Sequence, residues 1–222
     1  MVRYSVLVAP AVLCLASPLF ADELPDPSKP GPFPVGVTTM LLVDQARMDV
    51  LTNQPRTLPT EIWYPAADET RGLPTNRLSD FLGKRLDPGF VALLQAAFGI
   101  DLAAADKSFV CASVRDARPR DGVFPLVVFS HGNGGLRFQN SFWCEHMASH
   151  GYIVMAPDHT TNCAVTFIDG NIVPMMDAKE AREQSSKDRP KDVSFLIDVM
   201  TRFNKGADSR FTGRVDLERI GV

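Results

Sequence analysis

Several absences narrow what this chain of 222 residues can be. There is no long basic run, and the 23 Lys and Arg fall short of the 26 Asp and Glu, leaving a net charge of −3. A nucleic-acid partner is therefore not expected, because proteins that bind one carry a clustered positive face. No internal repeat and no low-complexity segment is present, which sets aside repeat arrays. Cysteine is scarce, at four. Three chemical signatures are missing as well. Gly-Lys-Ser/Thr, needed for a phosphate-cradling P-loop, does not occur; neither does His-Glu-x-x-His, a zinc-protease helix, nor Gly-x-Ser-x-Gly, the elbow that presents a nucleophilic serine.

What is present begins with a leader. Arg3, an apolar run over residues 6–15 containing Pro10, and the small Ala21 read as a secretory signal over residues 1–21. The run is too short for a membrane span, which needs roughly 20 apolar residues. The mature protein is expected to start near Asp22 and to be periplasmic or secreted. Leu13 before Cys14 is too large for lipoprotein cleavage. Loss of the leader removes Cys14 and leaves Cys111, Cys144 and Cys163, an odd set for an oxidising compartment. One disulfide with a leftover thiol, a partner beyond Val222, and a plain core role for Cys144 all stay open.

At 45% hydrophobic and 22% charged, the remainder can build one sizeable core. Residues 22–34 are proline-rich and extended. Residues 35–44 and 58–64 read as two strands, with turn chemistry at Asn53, Gln54, Pro55 and Arg56 making them an antiparallel pair. Residues 91–98, with Val91, Leu93, Leu94 and Phe98, form a short apolar helix after Pro88 and before Gly99. A packed cap helix is one reading; contact with a membrane or with acyl chains is the other. Residues 126–130 are a continuous apolar run, as in a parallel strand buried on both faces. A helix is predicted over 138–150, ended by Gly151, then a buried strand over 152–156. Residues 157–185 read as a long loop near a binding site. A second helix starts near Ser186 or Asp188 with Pro190 in its first turn; Val193, Leu196, Ile197, Met200 and Phe203 form its apolar stripe. Strand, helix, strand, helix, strand predicts an α/β fold with a mostly parallel sheet.

The chemistry gathers at His131-Gly132-Asn133-Gly134-Gly135, where a strand ends. Glycines let the backbone turn and expose its N–H groups. A dinucleotide loop would need glycine where Arg137 stands. An oxyanion hole fits instead, with the Asn133 backbone N–H as donor and His131, Gly132, Gly134 and Gly135 shaping the loop. A merely structural glycine turn is the alternative. Asp158-His159 is polar at a strand end, but a Ser, Asp, His order would need a nucleophile before Asp158, and Ser130 has no elbow around it. That pair is expected to be structural or to line the substrate pocket. His146 and His150 stand at i, i+4 without a third ligand, and His150 suits a helix C-terminus. No metal is expected.

Four stretches resemble the platelet-activating-factor acetylhydrolase-like branch of the α/β-hydrolases in its secreted bacterial form. They are Gly31-Pro32-Phe33-Pro34-Val35-Gly36 leading to Leu42-Val43-Asp44; Glu61-Ile62-Trp63-Tyr64-Pro65-Ala66; residues 127–135 with 148–159; and residues 189–198 with 215–222. The resemblance implies an α/β-hydrolase fold whose mostly parallel sheet follows an N-terminal antiparallel pair. It implies ester hydrolysis by Ser, Asp and His, on short-acyl or lipid esters, without a metal or organic cofactor. In that fold the strand entered at Ile220 runs into the nucleophile elbow. Residues 22–222 are therefore expected to be the N-terminal portion of a single domain whose C-terminal half is missing, inactive by itself. A dienelactone hydrolase or peptidase relative, or a non-catalytic secreted binding module, are the alternatives.

Overall fold

The structure is a computed structural model that describes residues 26, 28–82, 88–99, 101–168, 171–176 and 178–222. The leader expected at residues 1–21 lies outside the described residues. Among the described residues eight strands form: β1 (Val35–Asp49), β2 (Gln54–Pro65), β3 (Ser113–Arg115), β4 (Phe124–Val128), β5 (Ile153–Pro157), β6 (Val165–Ile168), β7 (Asn171–Pro174) and β8 (Val215–Gly221). The helices are α1 (Leu78–Leu82), α2 (Pro88–Phe98), α3 (Leu102–Ser108), α4 (Ser141–Ser149) and α5 (Lys179–Arg202).

Six strands make one sheet in the order β3-β1-β2-β5-β4-β8, and β6 with β7 makes a separate hairpin. β1 and β2 pair antiparallel, as expected, from Val35↔Pro65 to Asp49↔Gln54. β2 meets β5 antiparallel; β4 lies parallel to both β5 and β8. Alternation on β2 and β5 shows why the sheet is covered on both faces. Trp63, Val154 and Ala156 join a core beneath α4, with Cys144 and Ala148. Ile62, Tyr64, Ile153 and Met155 face the other way, onto Leu196, Val199 and Met200 of α5.

Several boundaries differ from expectation for local reasons. The hairpin turn falls at residues 50–53, because Asp49 Oδ1 accepts the N–H groups of Leu51 and Thr52 at 3.0 Å and Asn53 takes φ +52. Pro55 then lies inside β2, tolerated because β5 pairs β2 only from Thr60 to Trp63. α4 starts at Ser141, three residues late, after tight turns in which Gln139 N–H meets Leu136 O and Ser141 N–H meets Phe138 O. Its end is as expected, with Gly151 at φ +95. The stretch read as a long loop contains the β6–β7 hairpin and the first turns of α5. α5 begins at Lys179, since Lys179, Glu180, Ala181, Arg182, Glu183 and Gln184 are good helix formers. Pro190 is thus interior, where it forgoes one helical hydrogen bond. β8 starts at Val215 rather than Ile220 and stands last in the order of the described strands.

Cys111, Cys144 and Cys163 are buried free thiols, so the disulfide considered above does not form among them. Cys111 donates to Glu145 Oε1, and burial together with that carboxylate pushes its thiol up to about 12. The apolar helix of residues 91–98 forms as α2, and Val91 packs onto the core. Its described exposed positions are Pro88, Gly89, Ala92, Gln95 and Ala96. No helix among the described residues is long and apolar enough to cross a membrane.

Candidate active site

Parallel β4 and β5 end on the same edge of the sheet, the edge where open α/β folds bind their ligands. The predicted glycine loop leaves β4 there, and residues 158–164 leave β5 beside it. Gly134 takes φ +69, and a Cβ on Gly135 would lie 2.1 Å from Gln139 Oε1. Neither position tolerates a side chain without rearrangement. The loop's amides are then largely committed. Gly134 N–H donates to Asn162 O (2.9 Å), Gly135 N–H to Gly132 O (3.0 Å), Leu136 N–H to Gln139 Oε1 (3.2 Å) and Arg137 N–H to Asp158 Oδ1 (2.7 Å). Among the described residues, no acceptor is assigned to the Gly132 and Asn133 N–H groups at the exposed tip. The Asn133 side chain is turned aside by a 2.7 Å bond from Asn162 Nδ2. Asn133 itself is exposed at the tip.

His131 is buried beneath this tip. Its Nε2 accepts the His159 backbone N–H at 3.0 Å, so the proton sits on Nδ1 and is donated to Gly132 O at 2.6 Å. Burial is the largest influence on its titration, and with the neighbouring His159 and Arg189 it brings His131 down to about 4.

Asp158 and His159, adjacent in sequence, go separate ways. Asp158 turns toward Arg137 Nη1 (2.6 Å) and Thr166 Oγ1 (2.7 Å). Arg137 is held on its other side by Glu61 Oε1 (3.1 Å) and by Phe81 O. Asp158 is therefore tied into a buried ion-pair cluster. His159 finds a different carboxylate: its Nδ1 lies 2.9 Å from Asp192 Oδ2, and its Nε2 lies 2.8 Å from Ser130 Oγ. Asp192 is bound twice by Arg56, at 2.7 and 3.1 Å, and once by Arg47 at 2.9 Å. Burial would raise the Asp192 carboxyl, but hydrogen bonds from His159 and Arg56 outweigh it and hold it at about 2. Burial also lowers His159, with Arg189 and Arg56 acting in the same direction. Arg189 reaches in from α5, its Nη2 on Ser130 Oγ (3.0 Å) and on His131 O, its Nη1 on Asn162 Oδ1 (3.2 Å).

The sequence reading missed Asp192, Arg56 and Arg189 and kept Ser130 apart from His159. One signal was available: Asp192 precedes Leu196 by four residues, which places a carboxylate on the buried face of α5. Elsewhere His146 and His150 sit 4.6 Å apart by ring centroids, with the His150 Nε2 on Lys29 O. Among the described residues no group of three His, Cys, Asp or Glu could hold a metal.

A sheet of this order with a glycine loop leaving β4 is the architecture of an α/β-hydrolase. More narrowly, the chain belongs to the family described as platelet-activating factor acetylhydrolase, isoform II, whose model matches residues 21–189. It is 32% identical over 164 residues to a probable 1-alkyl-2-acetylglycerophosphocholine esterase of Arthroderma benhamiae, covering 68% of this chain and 40% of that protein. It is 30% identical over 150 residues to the platelet-activating factor acetylhydrolase of Gallus gallus, covering 62% and 31%. Among solved structures, the ferulic acid esterase from Streptomyces cinnamoneus matches with a TM-score of 0.65 and 30% identity, covering 88% of this chain and 53% of that one. The chain thus spans 40% or less of these two curated relatives, and the family resemblance read from the sequence is borne out.

Proposed function

We propose that these residues supply the oxyanion arm of a carboxylic ester hydrolase working by serine chemistry on small-molecule or lipid esters with short acyl groups. The observation that carries this is the open Asn133 N–H at the end of β4, on a loop whose next four amides are all committed. A tetrahedral intermediate needs such a donor, fixed before the charge develops, together with the N–H following the nucleophile. Residues 1–222 contain no Gly-x-Ser-x-Gly. Taken alone they provide the arm without an elbow serine, and we expect them to be inert. The likeness to relatives that act on acetylglycerophosphocholine esters favours a short acyl group. Residues 1–21 point to export, which the N-terminal mass of the natural protein reads directly.

The test is turnover of p-nitrophenyl acetate and methyl ferulate by the full product of the gene. Asn133→Ala keeps most activity, because only the backbone is used. Gly134→Val loses about 10²–10³ in kcat, the cost of one oxyanion donor, because valine is strained at φ +69. Absence of turnover on every ester, or the opposite ranking of the two variants, defeats the proposal.

A further inference from the structure

Ser130, His159 and Asp192 stand in the spatial order of a Ser-His-Asp triad, at 2.8 and 2.9 Å. A triad serine needs an Oγ open to substrate and a histidine that gains by becoming charged. Neither condition is met. Ser130 is half-buried and its Oγ already accepts Arg189 Nη2 at 3.0 Å, so a guanidinium engages the oxygen that would have to attack. The Asp192 charge is already shared by Arg56 and Arg47, leaving little to stabilise an imidazolium. A charged His159 would sit fully buried between Arg56 and Arg189.

A neutral His159 has a defined proton. The ionised Asp192 takes Nδ1–H, so Nε2 accepts and the Ser130 hydroxyl donates to it. The same residue's backbone N–H donates to His131 Nε2, which sends the His131 Nδ1–H to Gly132 O. One residue therefore holds the loop at two points, Ser130 by its ring and His131 by its backbone. Because a trans peptide directs C=O and N–H oppositely, pinning Gly132 O also aims the Asn133 N–H.

We infer, on the reading of Asn133 as an oxyanion donor, that Ser130, His159 and Asp192 are a positioning relay for the oxyanion arm with His159 at its hub, not a nucleophilic triad. Ser130, His131, His159 and Asp192 are positioning residues; the substrate meets only the loop tip. The relay needs both rings neutral, since a charged His131 would turn Nε2–H against the His159 N–H. The charged and titratable groups facing the two rings are Asp192, Arg56 and Arg189 around His159, with Asp158 and Arg189 around His131.

Two measurements on the full product of the gene test this. Long-range ¹H–¹⁵N correlation of the imidazoles, which needs no variant, shows both His131 and His159 as neutral Nδ1–H tautomers at pH 7. An Nε2–H tautomer or an imidazolium at either ring overturns the relay. In ester hydrolysis, Ser130→Ala lowers kcat about tenfold to hundredfold with KM unchanged, less than the roughly 10²–10³ of a lost oxyanion donor. Ser130→Thr, which keeps the hydroxyl, restores most of that loss, and a fluorophosphonate does not label Ser130. Unchanged kcat in Ser130→Ala, or fluorophosphonate found on Ser130, overturns the relay. If the wild-type protein turns over no ester, the hydrolase reading falls by itself, and the tautomers still decide whether the relay exists.

Discussion

Arg137 and Arg56 are both buried guanidiniums held by carboxylates, and the loop of residues 130–137 hangs between them. Arg137 belongs to the loop itself. Its side chain is divided among Asp158, Glu61 and Phe81 O, while Arg115 closes the far side of Glu61 at 2.9 Å. That cluster ends on charges, a backbone atom and the hydroxyls of Thr166 and Thr39, with no histidine among the described residues. Arg56 sits on β2 and binds Asp192, Asp49 and Thr160 O. This second cluster ends differently, on the neutral ring of His159, the hydroxyl of Ser130 and the half-exposed Arg189. The first cluster anchors the C-terminal end of the loop with fixed charge. The second steers its N-terminal end through groups that carry or lose a proton. Fixed ion pairs hold a backbone in place; a neutral histidine with a defined tautomer adds direction.

Removing the first anchor has the largest expected effect. Arg137→Met strips Asp158 of its guanidinium and leaves Glu61 with Arg115 alone, and both carboxylate side chains are fully buried. Breaking a buried pair from one side costs about 3–5 kcal/mol, and urea unfolding measures it as a lower midpoint. Arg56→Met is expected to cost less, because Asp192 retains Arg47 and His159. It also removes a positive charge that holds His159 down, so the His159 titration moves upward by NMR in Arg56→Met but not in Arg137→Met. Equal stability losses, or an unmoved His159, would mean that the two clusters do the same job.

Acid separates them next. An unfolded histidine titrates near 6.5, whereas folded His131 does so at about 4. Between those values the unfolded chain binds a proton that the folded chain refuses, so stability falls as pH falls. The loss begins below about pH 6.5, is complete near pH 4, and amounts to about 3 kcal/mol at roughly 1.4 kcal/mol per pH unit. His159, lowered too, adds to it in the same direction. Asp192 acts in a lower window: its contribution is present above its unfolded value near 4 and is lost as pH falls toward about 2. Urea midpoints at pH 7, 5.5 and 4 check the first window, and His131→Asn, which has no ring to protonate, should make it shallower, leaving the part from His159. A flat wild-type profile from pH 7 to 4 would contradict the buried neutral pair.

The contrast between these clusters also explains what could be read from sequence. Continuous apolar runs made β4 and β5 legible, because strands buried on both faces need them. Gly151 marked the end of α4 and Gly134 the loop because both take a positive φ that favours glycine, and Gly135 because a Cβ there would meet the Gln139 side chain. The β6–β7 hairpin was passed over although Val165, Thr166, Ile168, Ile172 and Val173 favour strands; its strands have four residues each and make no long alternation. Pairings across the fold leave no local trace. His159 meets Asp192 across 33 residues, and Arg56 meets it across 136. Adjacency in sequence, which joined Asp158 to His159, proved a poor guide, because neighbours on an extended backbone point to opposite sides.

The smallest expected effect sharpens the comparison by removing burial while keeping the chemistry. Arg118 Nε lies 2.5 Å from Glu69 Oε1, as short as any contact around Arg137, yet both side chains are about 60% exposed. Water solvates each charge when the pair is apart, and two long side chains lose rotamer freedom to meet, so the short distance brings little net stability. In Glu69→Gln the Arg118 guanidinium turns to solvent and no charge is stranded, unlike Asp158 in Arg137→Met. The urea midpoint of Glu69→Gln should match that of the wild-type protein, at low salt and at high salt alike. A clear drop at low salt that vanished at high salt would show that surface charge shares the work assigned here to the buried clusters. Exposure, rather than contact distance, would then have been the wrong criterion for choosing between them.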